Sequence, residues 1–383
     1  MSANFVHQSF QSRVICKPGA VEFLPNELLT LGCKRPLVLC SVRVASSHLF
    51  QRVTQLLRGF AVANVSAIPQ HSSVATVMQV VDVALQHGAD SFICLGGGSV
   101  SDTAKAAAIM LAEGGPLSKH ATRFEPPSTV VVPSLLKTKL PIISVPLTAS
   151  GAEVTPSLGI RDESHTKLLF WDAHVASRVI LIDAQANIEI PSAIMLSTAM
   201  NGLAHCIEGL YSKARSPFSS ALALDAIVRF NQAIRAVADA PNSMQAREDL
   251  LIAAHMSGLV LASAKSCLHH AICHVLGAKL NLPHGVSNSI LLPHAIAFNR
   301  ATCDTEFLAI EQKLGLAANA SVGTWLLDLQ YAAGVPTKLR DADVGESSLD
   351  TIAQATLHER GLAFNPRQVE SAAQVREILA AAW

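Results

Sequence analysis

Asn201 and His205 stand four residues apart in STAMNGLAHCIEGLY, and His270, His274 and His284 follow in HHAICHVLGAKLNLPHG. Residues at i and i+4 share one face of a helix. Asn201 with His205, and His270 with His274, therefore each place two side chains together. Leu282-Pro283 ends the second helix, and His284 can fold back from the turn that follows. Imidazoles titrate near neutral pH and also ligate divalent metals. Three of these histidines with an aspartate at position 201 would form a metal site with an open coordination position. Asn201 is neutral and a weak ligand, so a divalent metal is disfavoured. Without it the histidines themselves must stabilise a developing oxyanion and deliver a proton. A lone helical histidine is more often a satisfied core residue, and His269 and His294 are read that way.

Chemistry of this kind needs a second reactant, and two loops offer a phosphate site. LGGGSVSDTAK (95–105) follows an apolar run and opens a helix. Gly96, Gly97 and Gly98 let the backbone approach a ligand. The helix start presents free N–H groups to a pyrophosphate, and Ser99 and Ser101 add hydroxyls. This is neither GxGxxG nor a P-loop. A tight strand-to-helix turn alone would explain fewer glycines. The second loop is VPLTASGAEVTPSLGI (145–160), with Thr148 and Ser150. Ser41 ends the first strand, where enzymes that prefer NAD often carry an acid for the ribose hydroxyl. With Ser41 there and Arg43 close by, NADH and NADPH are both allowed.

The elements that hold these groups follow from hydrophobic pattern. PLVLCS (36–41), FAVANVSAI (60–68), DSFICLGGG (90–98), LPIISVPLT (140–148) and SRVILID (177–183) are short apolar runs. Helical stretches such as SSVATVMQVVDVALQHG (72–88) separate them. Alternation of this kind predicts a parallel, Rossmann-like sheet with helices on both faces. Beyond Ile190-Pro191 the apolar spacing becomes three and four, that of helices. The expected division is an α/β dinucleotide-binding domain over 1–188 and an all-α catalytic domain over 189–383. Ligands of open α/β sheets lie at the carboxyl ends of strands, so the active site is expected in the cleft between the two.

Composition narrows the function classes. The 383 residues carry 29 Lys plus Arg and 29 Asp plus Glu, a net charge of zero, and half are hydrophobic. There is no basic stripe for nucleic acid, no apolar run long enough to span a bilayer, and no signal-peptide core. Eight cysteines without a CxxC pair point to reduced thiols and a cytoplasmic protein.

Four stretches resemble the iron-containing (group III) alcohol dehydrogenase superfamily: GGGSVSDTAK, PLTASGAEVT, NGLAHCIEGLYS and HAICHVLGAKLNLPHGVSNSILLPHAIAFN. The closer likeness is to its maleylacetate reductases. That branch has Asn at the position of Asn201, a shorter second phosphate loop (Pro146 to Glu153), the pair His269-His270, Cys273 before His274, and Asn365-Pro366-Arg367. It also commonly has a histidine at the position of His71. Asp102, the sequence PHGVSN (283–288) and Ala271 depart from the branch and follow other members or neither. The resemblance implies a dehydroquinate synthase-like fold and NADH or NADPH held through Gly96–Ser99, Ser101, Asp102, Thr148, Ser150 and Lys167. It further implies a homodimer acting on a small carboxylate or carbonyl substrate. The implied activity is hydride transfer to an oxo-enoic acid, in aromatic-ring catabolism or a related route. Lys265 and Arg178 are candidates for a substrate carboxylate. Two alternatives are a metal-dependent alcohol dehydrogenase, in which the resemblance implies Asn201, His205, His270 and His284 as the ligands of iron or zinc, and a non-redox descendant using the same cleft.

Overall fold

The computed structural model describes residues 5–383. Among the described residues ten strands form: β1 (Arg13–Cys16), β2 (Pro36–Cys40), β3 (Ala63–Val65), β4 (Ser91–Gly96), β5 (Arg123–Glu125), β6 (Thr129–Val131), β7 (Ile142–Pro146), β8 (Ser157–Arg161), β9 (Lys167–Trp171) and β10 (Val179–Ile182). Six of them make a parallel sheet in the order β1-β10-β7-β4-β2-β3. Its middle strands are apolar without alternation because both faces are covered, as in parallel sheets generally. Leu39 pairs with Cys94, and Cys94 with Ser144, so the carboxyl ends of β2, β4 and β7 share one edge. Against this sheet pack α1 (Val74–His87) and α2 (Gly98–Glu113), through Val77, Val80, Ala104 and Ala108.

Each apolar run read from the sequence contains a strand, although FAVANVSAI yields only three strand residues. The edge strand β1 and the hairpins β5–β6 and β8–β9 carry no comparable run. β1 is largely exposed and β8–β9 alternates, so neither shows the buried-strand signature.

Beyond Pro191 the chain is helical: α3 (Ser192–Tyr211), α4 (Pro217–Asp239), α5 (Met244–Ala264), α6 (Leu268–Leu280) and α7 (His284–Asn299), followed by shorter helices. Two compact units result. One comprises Ser9–Thr122 and Val132–Ile190. The other comprises Pro191–Trp383 together with Arg123–Val131 and residues 5–8. The β5–β6 hairpin therefore belongs with the helices, an excursion that periodicity does not signal. In the helical unit, glycines set the close contacts. A Cβ on Gly209 would stand 2.2 Å from Val260 Cγ1, which brings α3 against α5. A Cβ on Gly285 would stand 2.6 Å from the Ser197 carbonyl oxygen, so the start of α7 presses on the backbone of α3 one turn before Asn201. Among the described residues, no single helix is long and apolar enough to cross a membrane. All eight cysteines are free thiols.

Candidate active site

At the sheet edge, β4 runs into α2 with Gly97 alone between them. Two of the three glycines are required by the protein's own packing. A Cβ on Gly97 would meet Thr148 Oγ1 at 2.4 Å, and one on Gly96 would meet Val100 Cγ2 at 2.6 Å; Gly98 has only ordinary contacts. The first and second loops are thus pressed together, with Thr148 lying over Gly97. Lys105 fastens them further. Its buried ammonium donates to the carbonyls of Ala152 (2.6 Å), Thr155 (2.7 Å) and Ser157 (3.2 Å). Asp102 accepts the Gly159 N–H at 3.0 Å, and burial pushes its carboxyl up while Lys105 and Lys167 pull it down. Lys167 crosses Gly159 on the β8–β9 hairpin. Asp102, Lys105 and Lys167 therefore build the platform under the two loops.

The hydroxyls have mixed fates. Ser99 Oγ accepts the N–H of His71, whose φ is a left-handed 58°. Thr148 donates to Ser150 at 3.4 Å. Ser101 is buried on α2 with no hydrogen-bond partner in the protein. Ser41 caps the short helix Val42–Ala45 by accepting the Val44 N–H, so its oxygen has a local structural task. Arg43 and Arg178 are exposed.

In the helical unit the five residues singled out by spacing meet. The ring centroids of His205 and His270 are 4.5 Å apart and stacked; His270 to His274 is 6.2 Å; His284 lies 5.8 Å from both His270 and His274. His270 Nε2 lies 3.0 Å from Asn201 Oδ1. His284 is the first residue of α7, not a loop residue folding back. Its place follows from Gly285 and from Ser287 and Asn288, whose side chains donate to its carbonyl.

Two carboxylates that the sequence reading did not single out orient this array. Glu208 lies on the same α3 face as Asn201 and His205, seven residues after the first and three after the second. Its Oε2 is 2.5 Å from His270 Nδ1, and its Oε1 accepts the His269 N–H at 3.0 Å. Glu359 is 3.1 Å from His274 Nδ1. Periodicity on α3 could have found Glu208; nothing local marks Glu359. His269 is fully buried and directed to the Asn288 carbonyl at 3.0 Å, which makes it structural. Burial, then the neighbouring imidazoles, hold His205 well below the usual histidine range; His269 is lowered to about 4. Both are neutral at physiological pH, so His205 is a hydrogen-bonding or ligating imidazole and not a store of protons.

A divalent cation fits these residues. His205 Nδ1 is buried with no hydrogen-bond partner, and ligating histidines commonly give their other ring N–H to a carboxylate, the place Glu208 takes behind His270. Glu208, His269 and His270 also place ligand atoms within 4.8 Å of one another. The expectation that a metal is disfavoured thus loses its support. The carboxyl group absent at Asn201 is present two turns along the same helix, at Glu208.

Comparison with known proteins agrees with this architecture. Residues 11–184 match the family described as iron-containing alcohol dehydrogenase, and residues 195–383 its C-terminal counterpart. The chain belongs to the iron-containing alcohol dehydrogenase family and is an oxidoreductase. Within that family it stands in the maleylacetate reductase-like branch. It is 30% identical to a maleylacetate reductase of Pseudomonas knackmussii, covering 96% of this chain and 94% of that one. The maleylacetate reductase structure from Agrobacterium tumefaciens superposes with a TM-score of 0.83 at 27% identity, covering 100% of this chain and 99% of that one. An iron-containing alcohol dehydrogenase from Corynebacterium glutamicum gives 0.84 at 26%, with 100% and 97% covered.

Proposed function

We propose that this protein reduces an oxo-enoic acid or a related carbonyl with NADH or NADPH. The observation that carries the proposal is the histidine array on α3, α6 and α7, with Asn201 against His270 and a carboxylate behind each of two rings. The cofactor's pyrophosphate is bound at Gly97–Ser99 and the loop of Thr148 and Ser150, where the start of α2 supplies N–H groups and positive dipole. Hydride leaves the reduced nicotinamide for the carbon β to the substrate carbonyl. The carbon–carbon double bond's electrons move to the carbonyl oxygen, giving an enolate. Neutral His205 stabilises that oxyanion by a hydrogen bond from its ring N–H in a buried setting, where such bonds act most strongly. His274 delivers the proton to carbon, since Glu359 stabilises its imidazolium and it is less buried than His205 and His270. The products are the saturated oxo acid and the oxidised nicotinamide.

A second reading, a metal-dependent alcohol dehydrogenase, is favoured by Glu208 and the ligand set. His205, His270, His284 and the Asn201 oxygen would hold the cation, which when bound polarises a substrate oxygen as a Lewis acid. One experiment separates the two. NAD(P)H oxidation is followed over a panel of oxo- and enoic acids and aldehydes, with chelator and with added iron or zinc. Chelator-insensitive reduction of an oxo-enoic acid supports the first reading. Activity only with metal, on simple carbonyls, supports the second.

A further inference from the structure

Asn365-Pro366-Arg367 touches none of the histidines, yet it bears on how two of them are held. Helix α6 carries His270 and His274, and no side chain at its own N-cap closes its start. The first N–H groups of a helix have no partner within it. Two distant side chains supply partners here. Glu208 Oε1 accepts from the N–H groups of His269 (3.0 Å) and His270 (3.4 Å), and Asn365 Oδ1 accepts from that of Leu268 (3.4 Å).

The Asn365 side chain is fully buried and makes three further bonds. Its Oδ1 also accepts from Asn299 Nδ2 at 3.1 Å, and its Nδ2 donates to Asn299 Oδ1 at 2.9 Å and to the Arg367 carbonyl at 2.6 Å. Asn299 is the last residue of α7, whose first is His284. Pro366 restricts the residue before it to extended backbone, and Asn365 has φ −68° and ψ 133°. Arg367 clamps the chain beyond to α7. Its guanidinium donates to the Phe298 carbonyl at 2.7 Å and stands 4.0 Å from the centre of the Phe298 ring.

Asn365 also ends the short turn Arg360–Phe364, which begins directly after Glu359. The Glu359 carboxylate is 3.1 Å from His274 Nδ1, and both side chains are mostly buried. Two more contacts press the turn on the start of α6. A Cβ on Gly361 would stand 2.6 Å from the Cys267 carbonyl oxygen, and the Cys267 thiol donates to the Phe364 carbonyl at 3.4 Å. One amide therefore sets both partners of the Glu359–His274 pair. It fixes the turn behind the carboxylate and the start of the helix that carries the imidazole.

We propose that Asn365 is a positioning residue for the reduction, holding Glu359 against His274 by fastening the turn after Glu359 to the start of α6. Its part in the reaction rests on the reading that His274 delivers the proton. Displacing a reacting group by about 1 Å can cost about a hundredfold in rate.

The test reads rate and ring together. kcat and both KM values for reduction of an oxo-enoic acid are measured in the parent, Asn365→Ala, Arg367→Met, Glu359→Ala, and the first two each combined with Glu359→Ala. Asn365→Ala should lower kcat about 10–100-fold with cofactor KM unchanged. Arg367→Met, at an exposed position, should lower it about threefold and guards against a folding defect in Asn365→Ala; Arg367→Lys should recover part. In the Glu359→Ala background neither substitution should cost more than about twofold, because the contact they serve is already gone. Equal losses in both backgrounds would mean that Asn365 serves only the fold, and would overturn the proposal. The 15N signals of the His274 ring, identified by their loss in His274→Gln, should shift in Asn365→Ala and Arg367→Met in the direction seen in Glu359→Ala. Ring signals unchanged from the parent overturn it as well. If the parent reduces no oxo-enoic acid while the ring signals shift as expected, the reductase reading fails and the hold of Asn365 on the Glu359–His274 pair stands.

Discussion

Glu208 Oε2 lies 2.5 Å from His270 Nδ1, with both side chains buried. Burial pushes the Glu208 carboxyl up, and His269 with three backbone N–H groups pulls it back toward ionisation. The contact fixes a proton on Nδ1 and leaves Nε2 facing Asn201. Replacing the carboxylate by Glu208→Gln keeps the shape and removes the charge. It should lower kcat about 10–100-fold, the usual cost of losing an orienting carboxylate. Cofactor affinity should stay put, and Glu208→Asp should recover part of the loss. Steady-state kinetics with both substrates varied checks this. A loss confined to cofactor KM would remove Glu208 from the array.

Asn201 meets the other nitrogen of the same ring. Two arrangements satisfy that 3.0 Å contact. An imidazolium beside Glu208 donates to Oδ1, or a neutral ring accepts from the amide nitrogen after a half-turn of the amide, whose O and N differ little in shape. An aspartate allows only the first, or a cation. Asn201→Asp should therefore raise iron or zinc affinity without improving the native reduction. Metal content after dialysis against a defined metal buffer measures it. A variant that retains no more metal than its parent would show that residue 201 does not set cation affinity.

Much of this site was legible because helices impose arithmetic. Asn201 with His205, and His270 with His274, share faces by spacing alone, and the structure brings all four together with His284. Glu208 obeyed the same arithmetic but stood in a run of apolar residues, where a carboxylate is easily read as solvated. Glu359 was not legible, because the turn that follows it is tied to α6 by Gly361 and Asn365, contacts between residues far apart in sequence. The parallel sheet was visible in its buried runs. The hairpins were not, since half-exposed short strands bury too little to leave a pattern. The glycine run does join a strand to a helix, while the reason for two of its glycines lies in Val100 and Thr148.

That reason can be separated from ligand approach. Gly97→Ala would place its Cβ against Thr148 Oγ1 and should destabilise the protein by about 1–3 kcal/mol, as overpacking does. NADH and NADPH should each bind at least tenfold more weakly, because the loop must shift. Adding Thr148→Ala removes both atoms under 3 Å and should recover much of the stability. Thermal unfolding of the four combinations reports the coupling. If the double variant is no more stable than Gly97→Ala, Thr148 is not what requires the glycine.

Glu153 gives a pH dependence of stability. It is buried in the second loop, and burial outweighs its own backbone N–H and Lys105 to raise its pKa from 4.5 to about 7. Between those values the folded state holds a proton that the unfolded state has released. The slope of unfolding free energy against pH is therefore negative there. Stability from this group is fully present below about pH 4.5 and is lost as pH rises through about 7. The 2.5-unit difference sets an upper bound of about 3 kcal/mol. Glu153→Gln should be more stable than the parent at pH 8, and the difference should vanish toward pH 4.5. Denaturant titrations at several pH values check it, and an equal difference at pH 5 and pH 8 would show that Glu153 is ionised in the folded protein throughout.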